Sequence, residues 1–256
     1  MPKTLQRLCG RLAPSDEEEA EQKEEEKKDD KEIIDTSLKS LKNLRYSAGT
    51  LTVGNIQIFN LLISKLEIPN RWKLRLARHF WREGYFNDLL KRLETNSDVD
   101  PITVEIDKKR FLKMTKENKS SVIAERSIDE ILKRFDKKIK DPRRPSEGRN
   151  ISKIIRQFLK IKCPISKAAY ELNKFFKKNK INIAIDQKYF PFSNNKVSKL
   201  NIIFSTTCGR QLEYYTGMVF KIDVKSKNKI KNVCNGGRYD QLIFDLGSKR
   251  KVSAVG

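Results

Sequence analysis

The stretch from Lys221 to Cys234 constrains this chain more than any other. Apolar and β-branched residues fill both halves, and a polar Lys225-Ser226-Lys227-Asn228-Lys229 break divides them. That is the pattern of a β-hairpin. Gly209-Arg210-Gln211-Leu212-Glu213-Tyr214-Tyr215-Thr216-Gly217-Met218-Val219-Phe220 leads into it, and Asn235-Gly236-Gly237-Arg238-Tyr239-Asp240 leads out. One Arg and three Tyr therefore gather at the root and exit of the hairpin. The glycines beside them let a ligand come close to the backbone, and everything upstream reads as scaffold for this spot.

Upstream the periodicity is helical. Ile33, Ile34, Leu38 and Leu41 recur at three- and four-residue steps, and Leu51-Thr52-Val53 is a short β-prone piece ending at Gly54. Ile56, Phe59, Leu62, Ile63 and Leu66 mark one helix face that Pro69 stops. A second helix runs through Trp72, Leu76 and Phe80, and a third through Phe86, Leu89, Leu90 and Leu93. These stripes are core rather than cofactor boxes. Ser127-Ile128-Asp129-Glu130 has capping-box spacing ahead of a helix carrying Ile131, Leu132, Phe135 and Ile139. Asp141-Pro142-Arg143-Arg144-Pro145 breaks that helix. Two more follow at Ser152–Ile161 and Ser166–Asn179, joined through Cys163-Pro164, so about 120–180 is expected to be a helical insertion. Ile181–Asp186 alternates as a strand or a helix edge, and Leu200–Thr206 is β-rich. The class is α+β: helices first, then an antiparallel sheet.

Residues 1–30 differ from the rest. Between Asp16 and Asp30 the chain has no large apolar residue to offset the entropy of ordering, so an acidic leader, disordered or an exposed charged helix, precedes a domain at 31–256. The formal charge of +22 raises nucleic acid as a partner. The excess is mostly Lys spread along the chain, however, and no RNA-recognition or zinc-finger signature accompanies it, so nucleic acid is not the expected partner. Cys9, Cys163, Cys208 and Cys234 lie far apart with no Cys-x-x-Cys, which argues for reduced thiols in a cytoplasmic protein and against a metal site. No apolar run approaches a membrane span and no signal peptide opens the chain. The single His, His79, sits in a basic amphipathic stretch and is an ordinary helix residue rather than a catalytic base.

A small zwitterion would find partners at the hairpin. Arg210 offers a planar fork for a carboxylate. Glu213 accepts from an ammonium or an imidazole N–H. Tyr214 and Tyr215, placed on a strand, would point to opposite faces, so that one faces the pocket and the other packs. Gly236 and Gly237 admit close approach, and Tyr239 adds a phenol. The plainer alternative is a hairpin with core tyrosines and a surface Arg–Glu pair.

The residues Arg210 to Phe220, followed by Gly236-Gly237-Arg238-Tyr239-Asp240-Gln241-Leu242, resemble the two histidine-site motifs of class II histidyl-tRNA synthetases. Ser253-Ala254-Val255-Gly256 is similar to the entry of their last class motif. Within that superfamily the strand form, and the segment from Thr52 through Leu66, His79-Phe80 and Phe86–Leu90, look most like the ATP phosphoribosyltransferase regulatory subunits, the HisZ branch. The resemblance spans about Asp30 to Gly256. It implies a class II synthetase-like antiparallel sheet with flanking helices and no aminoacylation, hence no catalytic residue and no cofactor. It also implies a hetero-octamer with the short-form catalytic subunit of ATP phosphoribosyltransferase, activation of the first committed step of histidine biosynthesis, and feedback sensing of L-histidine. By motif matching, Arg210, Glu213 and Tyr215 line the histidine pocket with Tyr214 beside them, and Gly236, Gly237 and Tyr239 stand opposite.

The sequence departs from the synthetase pattern in places. Gln211 replaces the small residue after the Arg, which counts against an aminoacyl-adenylate site, and Asn235 stands where a third Gly or Ala is common. The first two class II motifs are not evident, and Val252–Gly256 ends while still apolar. The expectation is a partial sequence lacking both ends of the fold. Two alternatives remain: a divergent histidyl-tRNA synthetase catalytic-domain fragment, which aminoacylates tRNA-His with ATP, and a synthetase-like interaction module without a ligand.

Overall fold

A computed structural model of the chain describes residues 16–43, 48–95, 101–118, 122–123, 126–139, 144–190, 192, 196–197, 200–210, 212–226, 229–249 and 252–256. In order these form α1 (Asp16–Asn43), β1 (Gly49–Asn55), α2 (Ile56–Lys65), α3 (Asn70–Arg78), α4 (Glu83–Thr95) and α5 (Pro101–Asn118). Next come β2 (Val122–Ile123), β3 (Arg126–Ser127), α6 (Ile128–Ile139), α7 (Pro145–Phe158), β4 (Lys162–Pro164) and α8 (Ala168–Lys178). The last group is β5 (Lys196–Val197), β6 (Leu200–Ser205), β7 (Met218–Ser226), β8 (Lys229–Gly237) and α9 (Leu242–Asp245).

Among the described residues the main sheet has the order β4-β6-β1-β7-β8, with β5 also on β6. The α+β class holds, with one departure from an all-antiparallel sheet. The β1 and β6 strands run parallel, Leu51 opposite Ile202, whereas β1 and β7 are antiparallel, Leu51 opposite Ile222. The β7–β8 ladder runs from Val219↔Gly237 to Ser226↔Lys229, as the hairpin pattern requires, with a bulge at Ile222/Asp223.

Alternation along the strands gives the sheet two unlike faces. Leu51 and Val53 of β1, Ile202 and Phe204 of β6, and Phe220, Ile222 and Val224 of β7 are buried in one apolar core. The helices close over that face. Asn55 caps α2, its Oδ1 accepting from the Gln57 amide at 2.9 Å, and α2 then buries Ile58, Phe59, Leu62 and Ile63. Phe59 stacks on Phe80 at 3.8 Å and meets Phe86 edge-on at 5.8 Å, so the α3–α4 turn is fixed by aromatic packing. Ser152, fully buried on α7, donates to Glu94 of α4 at 2.5 Å and joins those two helices.

Other differences from the sequence reading have physical causes. Residues 16–30 belong to the single helix α1, which runs unbroken through the boundary expected at residue 30. The helix expected at Ser152 starts earlier, at Pro145, where proline suits a first helical turn and the Arg144 amide donates to Glu147 at 2.8 Å. In the expected insertion, Ser127 does accept from the Glu130 amide, at 3.3 Å. Ile151, Ile154, Ile155 and Phe158 of α7, with Leu172 and Phe176 of α8, belong to the main core. It is α5 and α6 that pair with each other outside that core, through Phe111–Phe135 at 5.9 Å and Lys108–Asp136 at 2.8 Å. Ile181–Asp186 is neither strand nor helix. Asn173 holds it instead, exchanging two hydrogen bonds with the Ile185 backbone at 2.7 and 2.8 Å.

Candidate functional site

The opposite face of the sheet is polar and open. Thr50 and Thr52 of β1, Ser205 of β6, and Lys221, Asp223 and Lys225 of β7 line a cleft of about 690 Å³ on it. That size suits a small molecule. Lys221 and Asp223 pair across the floor at 3.0 Å, and Asp223 also accepts from Asn232 Nδ2 at 3.0 Å. Leu212, Tyr215, Val219 and Ile230 also line it, so the cleft pairs a charged and hydroxylated floor with apolar walls.

Residues 206–210 and 212–217 wall this cleft. Thr206 anchors the start of this wall, donating through Oγ1 to the Phe158 carbonyl at 2.7 Å. Cys208 follows, buried against Gly54 with its thiol on the Thr52 carbonyl, and burial pushes the thiol up to about 12. Gly209 then takes φ +84, a left-handed turn that an L side chain resists, and Val219 already fills the space a Cβ would need.

That turn decides where Arg210 goes. Its guanidinium packs over Phe80 at 4.9 Å and Phe86 at 5.0 Å, and Nε donates to the Phe80 carbonyl at 2.9 Å. Arg210 is 8% exposed, and its Nη2 is buried without a hydrogen-bond partner. Burial lowers its pKa, with Glu83 opposing. Arg210 thus pins the loop to the α3–α4 turn and is not among the residues lining the cleft. Glu213 is exposed and acts electrostatically on His79.

The tyrosines do come together. The Tyr214 and Tyr215 rings lie 4.8 Å apart, and Tyr214 meets Tyr239 edge-on at 6.0 Å. Both Tyr214 and Tyr215 precede β7 rather than lying on it, so the opposite-face rule for a strand does not apply to them. Burial, then the neighbouring Tyr214, raises the Tyr215 phenol well above its usual range. Gly237 packs flat against this cluster, since a Cβ there would sit 2.9 Å from the Tyr215 ring and 2.6 Å from the Met218 carbonyl oxygen. Of the seven residues expected at the site, Tyr214, Tyr215, Tyr239 and Gly237 form one group, and Tyr215 and Gly236, the latter packed on Phe220, lie on the cleft wall. Arg210 and Glu213 turn toward α3. Gln211 lies outside the described residues.

Sequence reasoning missed the floor. Its signal was present in Met218–Ser226, where apolar residues at even positions alternate with Lys221, Asp223 and Lys225 at odd ones. It also passed over Arg238, the residue between Gly237 and Tyr239, which is 2% exposed. Among the described residues, no group of three or more His, Cys, Asp or Glu is placed to hold a metal, and no helix is long and apolar enough to cross a membrane.

An open sheet with helices on one face and a cleft on the other defines an α+β domain of the class II synthetase-like type. The chain belongs to the histidyl-tRNA synthetase family, whose model (Histidyl-tRNA synthetase) matches residues 23–256. It is 26% identical over 242 residues to an ATP phosphoribosyltransferase regulatory subunit of Agrobacterium fabrum, covering 88% of this chain and 63% of that protein. It is likewise 26% identical over 223 residues to the regulatory subunit of Allorhizobium ampelinum, covering 81% and 59%. The chain thus spans about three fifths of the length of these curated relatives. A solved structure described as an ATP phosphoribosyltransferase regulatory subunit/histidyl-tRNA synthetase from Bacillus halodurans aligns with TM-score 0.48 and 15% identity, over 90% of this chain and 46% of that one.

Proposed function

We propose that this chain is a regulatory subunit of ATP phosphoribosyltransferase that takes free L-histidine beside the 206–217 loop. In this role it is non-catalytic and needs no cofactor. It is required by the short-form catalytic subunit of that glycosyltransferase, assembles with it as a hetero-octamer in the cytoplasm, and passes histidine occupancy on as feedback inhibition. The observation that carries the proposal is that the relatives matching four fifths or more of this chain bear that name. The local geometry supports it. Tyr214, Tyr215 and Tyr239 make an aromatic corner suited to an imidazole, and Gly237 lets the Tyr215 ring pack against the end of β8. Arg210 and Glu213 lie off the cleft, so a histidine carboxylate and ammonium would meet Lys221 and Asp223 on the floor instead.

A second function, histidyl-tRNA synthetase activity, is favoured by the description of the family model itself. One experiment separates the two. The chain is mixed with short-form catalytic subunits, turnover is measured with and without L-histidine, and histidine-dependent pyrophosphate exchange is run in parallel. Activation that histidine suppresses, without exchange, supports the regulatory role. Exchange without activation overturns it in favour of the synthetase.

A further inference from the structure

Arg238 is the most buried charged side chain among the described residues, and its contacts join parts of the chain over 200 residues apart. Nε donates to Asp30 Oδ1 at 2.9 Å, Nη1 to Ser253 Oγ at 2.7 Å and to Asp240 Oδ1 at 3.2 Å, and Nη2 to the Glu26 carbonyl at 2.7 Å. Its aliphatic stem crosses Gly217, where a Cβ would meet it at 3.1 Å. The Arg238 backbone is equally committed: its amide donates to the Met218 carbonyl at 2.8 Å, and its carbonyl accepts from the Thr216 amide at 2.8 Å. On either side, Gly237 donates to the Gly256 carbonyl at 2.7 Å and Tyr239 to that of Ala254 at 2.8 Å.

We infer that Arg238 is a positioning residue of the cleft, the part through which α1 holds the Gly236–Tyr239 turn and its tyrosine corner in place. Three features support this. The contacts use three separate guanidinium nitrogens spread along a rigid plane, a reach the single ammonium of Lys does not reproduce. Asp30 is 13% exposed and faces Arg238, with Glu26 and Asp240 as its charged neighbours; burial outweighs the pull of Arg238 and holds its carboxyl up at about 6, so it is still mostly ionised at neutral pH. Removing Arg238 leaves Asp30 a buried, unpaired carboxylate, whereas removing Asp30 leaves Arg238 only the more exposed Asp240 and Asp29. The strain of that loss falls on the turn between Gly237 and Tyr239, because the other end of the joint is a long helix anchored separately through Ile34, Leu38 and Leu41.

The inference rests on the histidine proposal only for the identity of the ligand. The test compares the full chain with its Asp30→Ala and Arg238→Lys variants by amide hydrogen exchange and by L-histidine titration calorimetry. Expected in both variants is at least tenfold faster exchange at Thr216, Gly237 and Tyr239 with unchanged protection at Leu89 and Ile155, together with at least tenfold weaker histidine binding. Wild-type protection at those three amides overturns the inference, and so does a uniform rise in exchange that includes Leu89 and Ile155, which would make the joint a general stabiliser. If Arg238→Lys does not fold, Asp30→Ala gives the same readout. A wild-type chain that binds no histidine overturns the ligand proposal alone, and the exchange result then decides the role of Arg238.

Discussion

Replacing Gly237 with alanine tests the site geometry most directly. Gly237 ends β8, is buried, and pairs with Val219. A new Cβ there would lie 2.6 Å from the Met218 carbonyl oxygen and 2.9 Å from two carbons of the Tyr215 ring. The carbonyl is held by the Arg238 amide at 2.8 Å, so it has little freedom to retreat. The ring must give way, and it leans on Tyr214. Forcing a methyl into such a packed position costs about 1–3 kcal/mol. For a chain of this size that is a fall in melting temperature of roughly 2–10 °C. Gly84→Ala is the control: Gly84 lies in the first turn of α4 with nothing within 4 Å of the place a methyl would take, so alanine there adds about 0.4–1 kcal/mol of stability. Thermal melts followed by far-UV and near-UV circular dichroism measure both. A Gly237→Ala chain that melts within about 1 °C of wild type, on the scale just given, with an unchanged tyrosine near-UV signal, would refute the close packing of turn and ring.

Other expectations follow from the same structure. Arg210→Met removes a charge-assisted bond to a buried carbonyl and two ring contacts but also an orphan N–H, so urea denaturation should show a loss of about 1–2 kcal/mol. Thr206→Val removes the 2.7 Å bond to the Phe158 carbonyl, which still accepts from the Ile161 amide at 3.0 Å, for a loss of about 0.5–1.5 kcal/mol in the same assay. Burial raises the thiols of Cys163 to about 11 and Cys208 to about 12. Because the folded chain holds these protons more tightly, its stability is fully present below the usual thiol pKa of about 8.5 and falls as pH rises beyond it. Mass-mapped iodoacetamide labelling at pH 8 therefore spares both in the native chain, and rapid native labelling of Cys208 would contradict its burial. His79 is shifted down, by burial and then by Arg78, Arg82 and Arg75. A depressed histidine gives stability that is lost as pH falls through the ordinary value of about 6.5, and an imidazole titration by NMR with a midpoint above that value would contradict the cationic surroundings.

Much of the scaffold was legible in the sequence because its signals are local. The apolar stripes of α2, α3 and α4 became the core, and the hairpin alternation became β7 and β8. What escaped was set by distant contacts. Lys162–Pro164 reads as a linker because three residues carry no period, and only pairing with Ile203–Ser205 makes them a strand. The parallel register of β1 and β6 is likewise invisible at either strand alone. At the site, the motifs located the tyrosine corner, but the direction of Arg210 depends on a carbonyl 130 residues earlier in the chain. Arg238 went unnoticed because its partner Asp30 lies in a tract whose composition suggests no packed role.

The placement of β1 bears on how such a chain is born. Among the described strands this one is the middle of the sheet and the earliest in the chain, yet both of its neighbours, β6 and β7, are translated about 150 residues later. At about 5–20 residues per second, some 10–30 seconds pass on the ribosome before either neighbour exists. Throughout that interval Leu51 and Val53 wait with two open edges, shielded at most by the helices that follow them. A nascent-chain chaperone, or a slow late-forming nucleus, is the natural companion of a sheet wired in this order.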